Sequence, residues 1–372
     1  MRMTDIIRKK QEGESLTGEE LSYVLKGYVE DRIPDYQMSA LIMAIWFMGM
    51  DMEETARLTS LMATSGDTVD LSSIQGIKVD KHSSGGVADT TTIAVGPLTA
   101  ACGGRVAKMS GRGLSFSGGT LDKLESIPGF RVDQSMEDFA RIVNTCGVSI
   151  IGQTAALVPA DKKLYALRDV TSTVDSMSLI AASIMSKKLA GGSDKILLDV
   201  KWGSGAFMKT YHEALELAHI MVEIGRRTGK QTRALVTDMN QPLGLAVGNA
   251  LEVVEAIQVL RGEVEGELKD LIVELTVHML LLGEVCESRE EATRRITRAI
   301  AEGRAVEKLQ EMIQLQGGDP GVCEDTDLLP KAEQKVEVLS PSDGWITAMR
   351  SDEIGMAAVI LGAGRMKKDD PV

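Results

Sequence analysis

The first pattern along the chain is helical. In the first 65 residues, apolar side chains recur three and four positions apart and form one broad hydrophobic stripe. That stripe comprises Met38, Leu41, Ile42, Ile45 and Met48. Two capping boxes, Thr17 with Glu20 and Asp51 with Glu54, predict helix starts before and after it. We expect an all-α segment whose stripe packs on neighbouring helices, and its many methionines also suit a subunit interface.

The pattern then changes to a repeated order of strand, loop and helix. Five short apolar runs predict strands over Ile77–Lys81, Arg105–Met109, Val148–Ile151, Lys195–Lys201 and Thr232–Thr237. Helical periodicity lies between them, for example over Ser135–Cys146 and Glu213–Thr228. This alternation predicts a central, mostly parallel sheet covered by helices, with ligands at the carboxyl ends of the strands.

One helical stretch interrupts the alternation. Residues 161–189 predict two helices joined by a Thr/Ser-rich turn, and we expect them to return to the N-terminal helical domain. Tyr165 and Arg168 project from one side of the first helix, as Ser183 and Lys187 do from the second. Spacing alone is more typical of solvated surface positions than of a site.

The remainder of the chain is mostly helical to about residue 315, with a break near Glu263–Gly266. Alternation over Lys335–Ala348 then predicts strands, and Ser351–Leu361 predicts a short helix. The predicted fold class is therefore α/β, with a small all-α domain, a larger α/β domain and a partial C-terminal α+β lobe. Their predicted bounds are residues 1–66 with 162–193, residues 67–161 with 194–334, and residues 335–372.

Two glycine-rich loops after the first two predicted strands carry the candidate chemistry. They are Lys81-His82-Ser83-Ser84-Gly85-Gly86 and Lys108-Met109-Ser110-Gly111-Arg112-Gly113. Glycines let backbone N–H groups face an anion, hydroxyls and lysines add donors, and a following helix start adds a favourable dipole. Such turns also join strands to helices without a ligand. Two of them, each with a lysine and hydroxyls, favour a site for phosphate or a phosphorylated substrate. The G-x-x-x-x-G-K-[ST] and G-x-G-x-x-G patterns are missing, so ATP or NAD binding is not supported.

Composition narrows the classes of partner. The 372 residues carry a net charge of -13, which argues against a nucleic-acid surface because that needs a basic footprint. Four scattered cysteines without a C-x-x-C pair are typical of reduced cytosolic thiols. The N-terminus has no apolar signal core, and the longest uncharged run, Tyr36–Met50, is too short to span a bilayer. We expect a cytoplasmic protein that binds neither nucleic acid nor membrane.

The chain resembles the pyrimidine nucleoside phosphorylase and thymidine phosphorylase family. The likeness starts at Met1, and the motifs that carry it are Lys81-His82-Ser83-x-Gly85-Gly86, Ser110-Gly111-Arg112-Gly113-Leu114, Gly118-Gly119-Thr120-x-Asp122-Lys123-Leu124-Glu125, Ile151-Gly152-Gln153, Pro159-Ala160-Asp161-Lys162, Tyr165-Ala166-x-Arg168-Asp169, Ser186-Lys187-Lys188 and Gly203-Ser204-Gly205-Ala206-Phe207. The resemblance implies phosphorolysis of uridine, deoxyuridine and thymidine to the free base and α-D-ribose (or deoxyribose) 1-phosphate. It also implies a homodimer formed through the α domain, a site in the cleft between the domains, and inorganic phosphate as co-substrate without an organic cofactor.

The resemblance also assigns roles by position. It assigns phosphate binding to Lys81, Ser83, Thr92, Lys108, Met109, Ser110 and Thr120. It assigns binding of the base and sugar to Tyr165, Arg168, Ser183 and Lys187. Arg168 and Lys187 would also act in catalysis, together with His82. Bacterial members of the broader-specificity branch bind a potassium ion, for which the ligands here would be Ala88, Thr90, Leu243, Ala246 and Glu255. The lysine at position 108 is similar to that branch, which accepts uridine as well as thymidine.

The chain departs from the family pattern at four places. Ser115-Phe116-Ser117 stands where the family has Gly-His-Thr, Ala88 replaces a glycine, and Trp202 replaces a smaller residue. An alanine at position 88 strains the loop if its φ is positive. Family members also continue past Gly362-Ala363-Gly364-Arg365, so we expect an incomplete C-terminal lobe with unpaired strand edges.

Two alternatives to an active phosphorylase stay open. One is a phosphoribosyltransferase of similar architecture, which needs an acidic Mg²⁺-pyrophosphate site that the loops do not show. The other is a truncated, weakly active or inactive homologue that binds nucleosides or acts as a dimeric scaffold. Phosphate-dependent turnover distinguishes the phosphorylase from the scaffold, and dependence on phosphoribosyl pyrophosphate would identify the transferase.

Overall fold

The structure is a computed structural model that describes residues 1–113, 118–154 and 156–364. These residues form two compact units. Unit 1 comprises Met1–Ser72, Gln153–Ile196 and Leu215–Ala234, and unit 2 comprises Ser73–Gly152, Leu197–Ala214 and the chain from Leu235 on.

The helices and strands follow the periodicities of the sequence. The helices are α1 (Met3–Gln11), α2 (Gly18–Val29), α3 (Asp35–Met48), α4 (Met52–Ala63), α5 (Thr91–Ala101), α6 (Thr120–Glu125), α7 (Met136–Cys146), α8 (Pro159–Val170), α9 (Met177–Ala190), α10 (Tyr211–Arg227), α11 (Asn249–Leu260), α12 (Glu267–Leu282), α13 (Arg289–Ala301), α14 (Arg304–Leu315) and α15 (Ser351–Ala358). The strands are β1 (Val79–Ser83), β2 (Val106–Ser110), β3 (Val148–Gly152), β4 (Lys195–Trp202) and β5 (Gln231–Asp238). Each of the five predicted strands is therefore present, shifted by at most two residues at either end.

Both predicted capping boxes are confirmed. The Thr17 hydroxyl accepts from the Glu20 N–H at 3.2 Å, and the Glu20 carboxylate accepts from the Thr17 N–H at 2.7 Å. Asp51 and Glu54 repeat the arrangement at 2.8 and 2.9 Å. Each box satisfies two backbone donors that have no partner within the helix, and so fixes where α2 and α4 begin.

Unit 1 is helical around these two elements. Helix α4 packs against α2 and α9, and α1 packs against α3. Four members of the predicted apolar stripe on α3 are buried, but Met48 is 49% exposed because it is the last residue of the helix. The stripe prediction is wrong at that position.

Unit 2 is built around α5, in which every residue is buried. Helices α11 to α14 pack on it. Strands β2 and β3 pair in parallel from Val106 opposite Val148 to Ser110 opposite Gly152. Strand β1 lies beside β4 in a sheet of order β1-β4-β5, and a parallel bridge between Lys78 and Arg105 links the start of β1 to that of β2. The carboxyl ends of β1 and β2 therefore carry the two glycine-rich loops of the sequence.

The strands predicted over Lys335–Ala348 are not formed. These residues have no regular secondary structure, and apolar side chains such as Val338 (93%) and Trp345 (95%) are exposed. Alternation alone cannot hold a strand, because its backbone groups need a neighbouring strand to pair with. The short helix predicted after them is present as α15, followed by a wider turn over Val359–Ala363.

Candidate active site

Polar side chains from the end of β1 and the start of α5 meet at Asp89, in the loop that joins them. The hydroxyls of Ser83 and Thr91 each donate to one oxygen of the Asp89 carboxylate, and the Thr91 N–H donates to it at 3.2 Å. Lys81 Nζ donates in turn to the Thr91 hydroxyl, and the Gly85 N–H donates to Ser83 Oγ at 3.2 Å. The half-buried Asp89 carboxylate therefore links the end of β1 to the start of α5.

Behind this loop lies a buried group of lysines and carboxylates. Asp199 Oδ2 on β4 is 2.9 Å from Lys201 Nζ and 3.4 Å from Lys81 Nζ. Lys123 Nζ on α6 is 2.6 Å from Glu252 Oε2 on α11. All five side chains are at most 3% exposed, so each charge depends on its partner rather than on water.

These charges shift the pKa values of the carboxyls in opposite directions. Burial disfavours ionisation of Asp89, but Lys81, Lys201 and Lys123 outweigh it and hold the pKa of Asp89 well below its usual range. Burial raises the pKa of Glu252, and the charge of Lys123 only partly offsets it. Asp89 is therefore an ionised acceptor at neutral pH.

The loop after β2 lies against the first. Lys108 Nζ donates to the Lys81 carbonyl at 2.6 Å and is 3.4 Å from Asp80 Oδ1. Lys108 and Met109 are buried, and Ser110 at the end of β2 is half-buried. The lysine charge of the second loop therefore stands next to the backbone of the first.

Three further predicted residues lie in unit 2. Thr92 is buried in the first turn of α5, Thr120 is the half-buried first residue of α6, and His82 is half-buried on β1. A hydroxyl in a first helical turn can join the backbone N–H groups there in binding an anion. Ser115, Phe116 and Ser117, which depart from the family pattern, lie outside the described residues.

A second polar group lies in unit 1, between α8 and α9. Lys187 Nζ donates to Asp161 Oδ2 and, at 3.0 Å, to Ser183 Oγ. Asp161 is 3% exposed, and its Oδ1 has no hydrogen-bond partner among the described residues. An orphaned buried carboxylate oxygen is costly, and so suggests an acceptor kept for a ligand or a water molecule.

Arg168 anchors the turn between the same two helices. Its guanidinium donates to the carbonyls of Thr173 at 3.1 Å, Leu179 at 3.2 Å and Val174, and its centre is 5.7 Å from the ring of Tyr165. It is 1% exposed, and burial lowers its pKa. The surface interpretation that spacing favours is therefore wrong for Arg168, which is a buried cation.

The predicted potassium ligands all belong to unit 2. Ala88 has a φ of +55°, the left-handed conformation in which its Cβ is strained, as expected for an alanine in place of a glycine. Thr90 Oγ1 donates to the Glu252 carbonyl at 3.0 Å, and Leu243 and Ala246 are half-buried.

Glu255 is the one acidic side chain of that predicted set. Its Oε1 accepts from the Leu245 N–H at 2.7 Å, whereas its buried Oε2 has no hydrogen-bond partner in the described part of the chain. A Cβ on Gly244 would overlap Oε2. Glycine at 244 therefore keeps space beside an orphaned buried acceptor, which fits a cation with oxygen ligands.

The motifs of the sequence do not single out three residues of this charge network, namely Asp199, Lys201 and Glu252. Asp199 and Lys201 stand two apart in strand β4, whose other residues after Lys195 are apolar, so both side chains fall on one face of it. Two charges on one face of a buried strand could have been recognised as a paired site. Glu252 carries no comparable signal, because its partner Lys123 is distant in the sequence.

Trp202, another departure from the family, is half-buried at the end of β4. Its ring lies edge-to-face with that of Tyr211 at 6.1 Å between centroids. Gly203 follows with a φ of +123°, and a Cβ there would overlap Asn240. Position 203 therefore needs glycine, and the Trp202 ring beside it packs on Tyr211.

No helix in the described part of the chain is long and apolar enough to cross a membrane. Nor do residues 1–113, 118–154 and 156–364 bring together three His, Cys, Asp or Glu side chains that could hold a metal ion.

Two family models match the chain. One, described as the helical bundle domain of a glycosyl transferase family, matches residues 4–66, and the other, the a/b domain of that family, matches residues 75–306. The solved structure of anthranilate phosphoribosyltransferase from Thermus thermophilus aligns with a TM-score of 0.66, covering 84% of this chain and 99% of that one. At 18% sequence identity this likeness concerns the fold alone. The predicted α/β fold class with a small all-α domain is confirmed, whereas the strands predicted for the C-terminal lobe are not formed.

Curated relatives match over all 372 residues. A protein named pyrimidine-nucleoside phosphorylase from Geobacillus stearothermophilus is 52% identical, and one of the same name from Bacillus subtilis (strain 168) is also 52% identical. A third, from Staphylococcus epidermidis (strain ATCC 12228 / FDA PCI 1200), is 53% identical. In each case the match covers 100% of this chain and 86% of the relative.

Proposed function

This chain belongs to the pyrimidine-nucleoside phosphorylase family, and from that premise we propose that it cleaves pyrimidine nucleosides with inorganic phosphate. The products are the free base and α-D-ribose or deoxyribose 1-phosphate. The proposal rests on one observation: over its 372 residues the chain is 52% or 53% identical in sequence to proteins named pyrimidine-nucleoside phosphorylase. Inorganic phosphate is the co-substrate, and the reaction needs no organic cofactor.

We assign phosphate to the two glycine-rich loops. The residues that bind the anion are Lys81, Ser83, Thr92, Lys108, Ser110 and Thr120, with the backbone at Met109. The assignment is supported by the buried lysines behind the loops, whose charge is held close to the end of β1. A polyanion that enters such a preformed positive site needs little reorganisation of the protein.

We assign the base and sugar to Tyr165, Arg168, Ser183 and Lys187, on the all-α domain of residues 1–66 and 162–193. Support comes from the burial of Arg168 and from the contact of Lys187 with Ser183. Phosphate then belongs to the α/β domain of residues 67–161 and 194–334.

The chemistry explains why these residue types are suitable. The bond between the anomeric carbon and the base nitrogen breaks, and its electron pair moves onto the pyrimidine. Arg168 and Lys187 stabilise the negative charge that develops on the base carbonyls. A phosphate oxygen forms the new bond to the anomeric carbon, and positioning of that oxygen supplies much of the rate. His82 donates a proton or hydrogen bond to the leaving base.

We further propose a potassium ion held by Ala88, Thr90, Leu243, Ala246 and Glu255. The orphaned Oε2 of Glu255 supports this set, and the other ligands would be a hydroxyl and backbone carbonyls. When bound, the ion would supply positive charge beneath the phosphate loop. The protein's part is to keep the loop in the conformation that exposes these oxygens.

Three finer proposals complete the account. Lys108 supports broad specificity, with uridine, deoxyuridine and thymidine as substrates. Five apolar or aromatic side chains exposed on α3 support a homodimer formed through the α domain: Tyr36, Met43, Trp46, Phe47 and Met48. Four free, buried cysteines support a reducing, cytoplasmic location.

Product analysis tests the proposed reaction. The protein is incubated with uridine and phosphate, and the products are followed by phosphorus NMR. We expect a pentose 1-phosphate in amounts equal to the free base. A parallel incubation of free base with phosphoribosyl pyrophosphate should give no nucleotide. Nucleotide formation there, without phosphorolysis, would identify a phosphoribosyltransferase instead.

A further inference from the structure

The hydroxyl of Ser83 has its proton committed within the protein. Asp89 Oδ1 accepts from both the N–H and the hydroxyl of Thr91, and an aspartate is ordinarily ionised at neutral pH, so its other oxygen is an acceptor as well. Ser83 Oγ lies within hydrogen-bond distance of Asp89 Oδ2, so the hydroxyl must be the donor of that bond. A serine hydroxyl has one proton and two lone pairs. Whatever Ser83 offers to a ligand in this arrangement is therefore a lone pair.

The neighbouring hydrogen bonds likewise require the hydroxyls to donate to Asp89. Thr91 Oγ1 accepts from Lys81 Nζ, which can only donate, and Thr91 passes its own proton to the second oxygen of Asp89. The Gly85 N–H occupies one lone pair of Ser83 Oγ at 3.2 Å. No other contact among the described residues occupies the second lone pair of Ser83 Oγ, so a ligand can use it.

We propose that Asp89 is a positioning residue that makes Ser83 a hydrogen-bond acceptor toward the bound anion, so that the site selects a tetrahedral oxyanion that carries a proton. This inference rests on the proposed phosphate site and specifies which form of anion it takes. Inorganic phosphate and arsenate keep at least one O–H group at neutral pH, and that group donates to Ser83. Sulfate has the same shape but no proton, so its oxygen meets the Ser83 lone pair directly.

The same contact orients the nucleophile. If the protonated oxygen of phosphate is held at Ser83, the unprotonated oxygens are those that face the other donors and the anomeric carbon. Binding of sulfate requires Ser83 to turn its proton away from Asp89, which gives up a hydrogen bond to a charged acceptor. Loss of a hydrogen bond of that kind should make sulfate bind about tenfold or more weakly than phosphate.

The test measures binding of three anions to the full chain by calorimetry at neutral pH, without nucleoside. We expect phosphate and arsenate to bind with dissociation constants within about threefold of each other, and sulfate to bind at least about tenfold more weakly. Asp89→Asn places an amide against Ser83, which can donate to it and release the serine proton to the anion. In this variant the dissociation constants for sulfate and phosphate should lie within about threefold of each other.

A second variant covers the case in which Asp89→Asn fails to fold. Ser83→Ala removes the hydroxyl. It should bring the dissociation constants for sulfate and phosphate closer together, mainly by weakening the binding of phosphate. The control is Asp138→Asn, an exposed aspartate paired with Arg141, which should keep the ratio of the unaltered protein. Equal binding of sulfate and phosphate by the unaltered protein, or an unchanged ratio in Ser83→Ala, would overturn the proposal. Failure of the proposed reaction is seen separately, as absence of base release.

Discussion

Lys187 on α9 and Asp161 on α8 form an ion pair in which the carboxylate is almost fully buried and the ammonium group is partly accessible. The pair joins the two helices that carry the proposed base-binding residues. One oxygen of Asp161 holds Lys187, and the other is orphaned among the contacts of the described residues. The position of the Lys187 charge is therefore set by a residue that the family resemblance assigns no role.

Asp161→Asn should lower kcat/KM for uridine by about 10²-fold, because Lys187 loses the partner that aligns it. The KM for phosphate should change little, since phosphate is assigned to other residues. The measurement is steady-state base release with each substrate varied in turn. Asp5→Asn, on the exposed end of α1, is the matched control and should behave as the unaltered protein. An unchanged kcat/KM in Asp161→Asn would remove its positioning role.

Lys123→Met should destabilise the protein by about 3–5 kcal/mol, because it leaves the Glu252 carboxylate buried without its counter-charge. The loss should shrink as the pH falls, since a protonated Glu252 needs no counter-charge. Denaturant midpoints at two pH values measure both effects. Lys308→Met, which breaks the more exposed pair with Glu311, should cost less than about 1 kcal/mol. Equal losses in the two variants would show that the buried pair contributes nothing special.

The cysteines should be unreactive in the folded protein. All four are buried, and burial raises the pKa of Cys102 to about 11 and that of Cys323 to about 12. At pH 8 only about one Cys102 thiol in a thousand is then a thiolate, and the fraction increases as the pH rises. Iodoacetamide should label the native protein slowly at pH 8 and the guanidinium-unfolded protein rapidly. Rapid labelling of native protein at that pH would contradict the buried positions.

Potassium should stimulate the reaction more than sodium, and Glu255→Gln should abolish the difference, because it removes the only charged ligand of the proposed set. Gly244→Ala tests the same site from the backbone, since its methyl group would displace Glu255 Oε2. The measurement is uridine phosphorolysis in matched potassium and sodium buffers. A potassium effect of full size in both variants would place the ion elsewhere.

The sequence predicted the elements better than their contacts. Capping boxes at Thr17 and Asp51 and the periodicity of the strands are local signals, so element positions follow from them directly. The Lys335–Ala348 prediction failed because a strand depends on a partner strand that alternation does not reveal. The glycine-rich loops identified where an anion would bind, since their chemistry is local.

The charge network behind those loops could not be predicted in the same way. Asp199 meets Lys81 from a strand far along the chain, and Lys123 meets Glu252 across a similar separation. The first pair depends on the order of strands in the sheet and the second on the packing of α6 against α11, neither of which a single sequence gives. Likewise, helical spacing made Arg168 resemble a surface residue, whereas the turn after α8 folds back over it.

The most direct test of the account is ultraviolet detection of base release from uridine and thymidine, with and without phosphate, in the unaltered protein and in Lys187→Ala. We predict release from both nucleosides only when phosphate is present. In Lys187→Ala the rate should fall by about 10²-fold or more, because a charge that stabilises the leaving base is lost. No phosphate-dependent release from the folded protein, or a full rate in Lys187→Ala, would contradict the central claim.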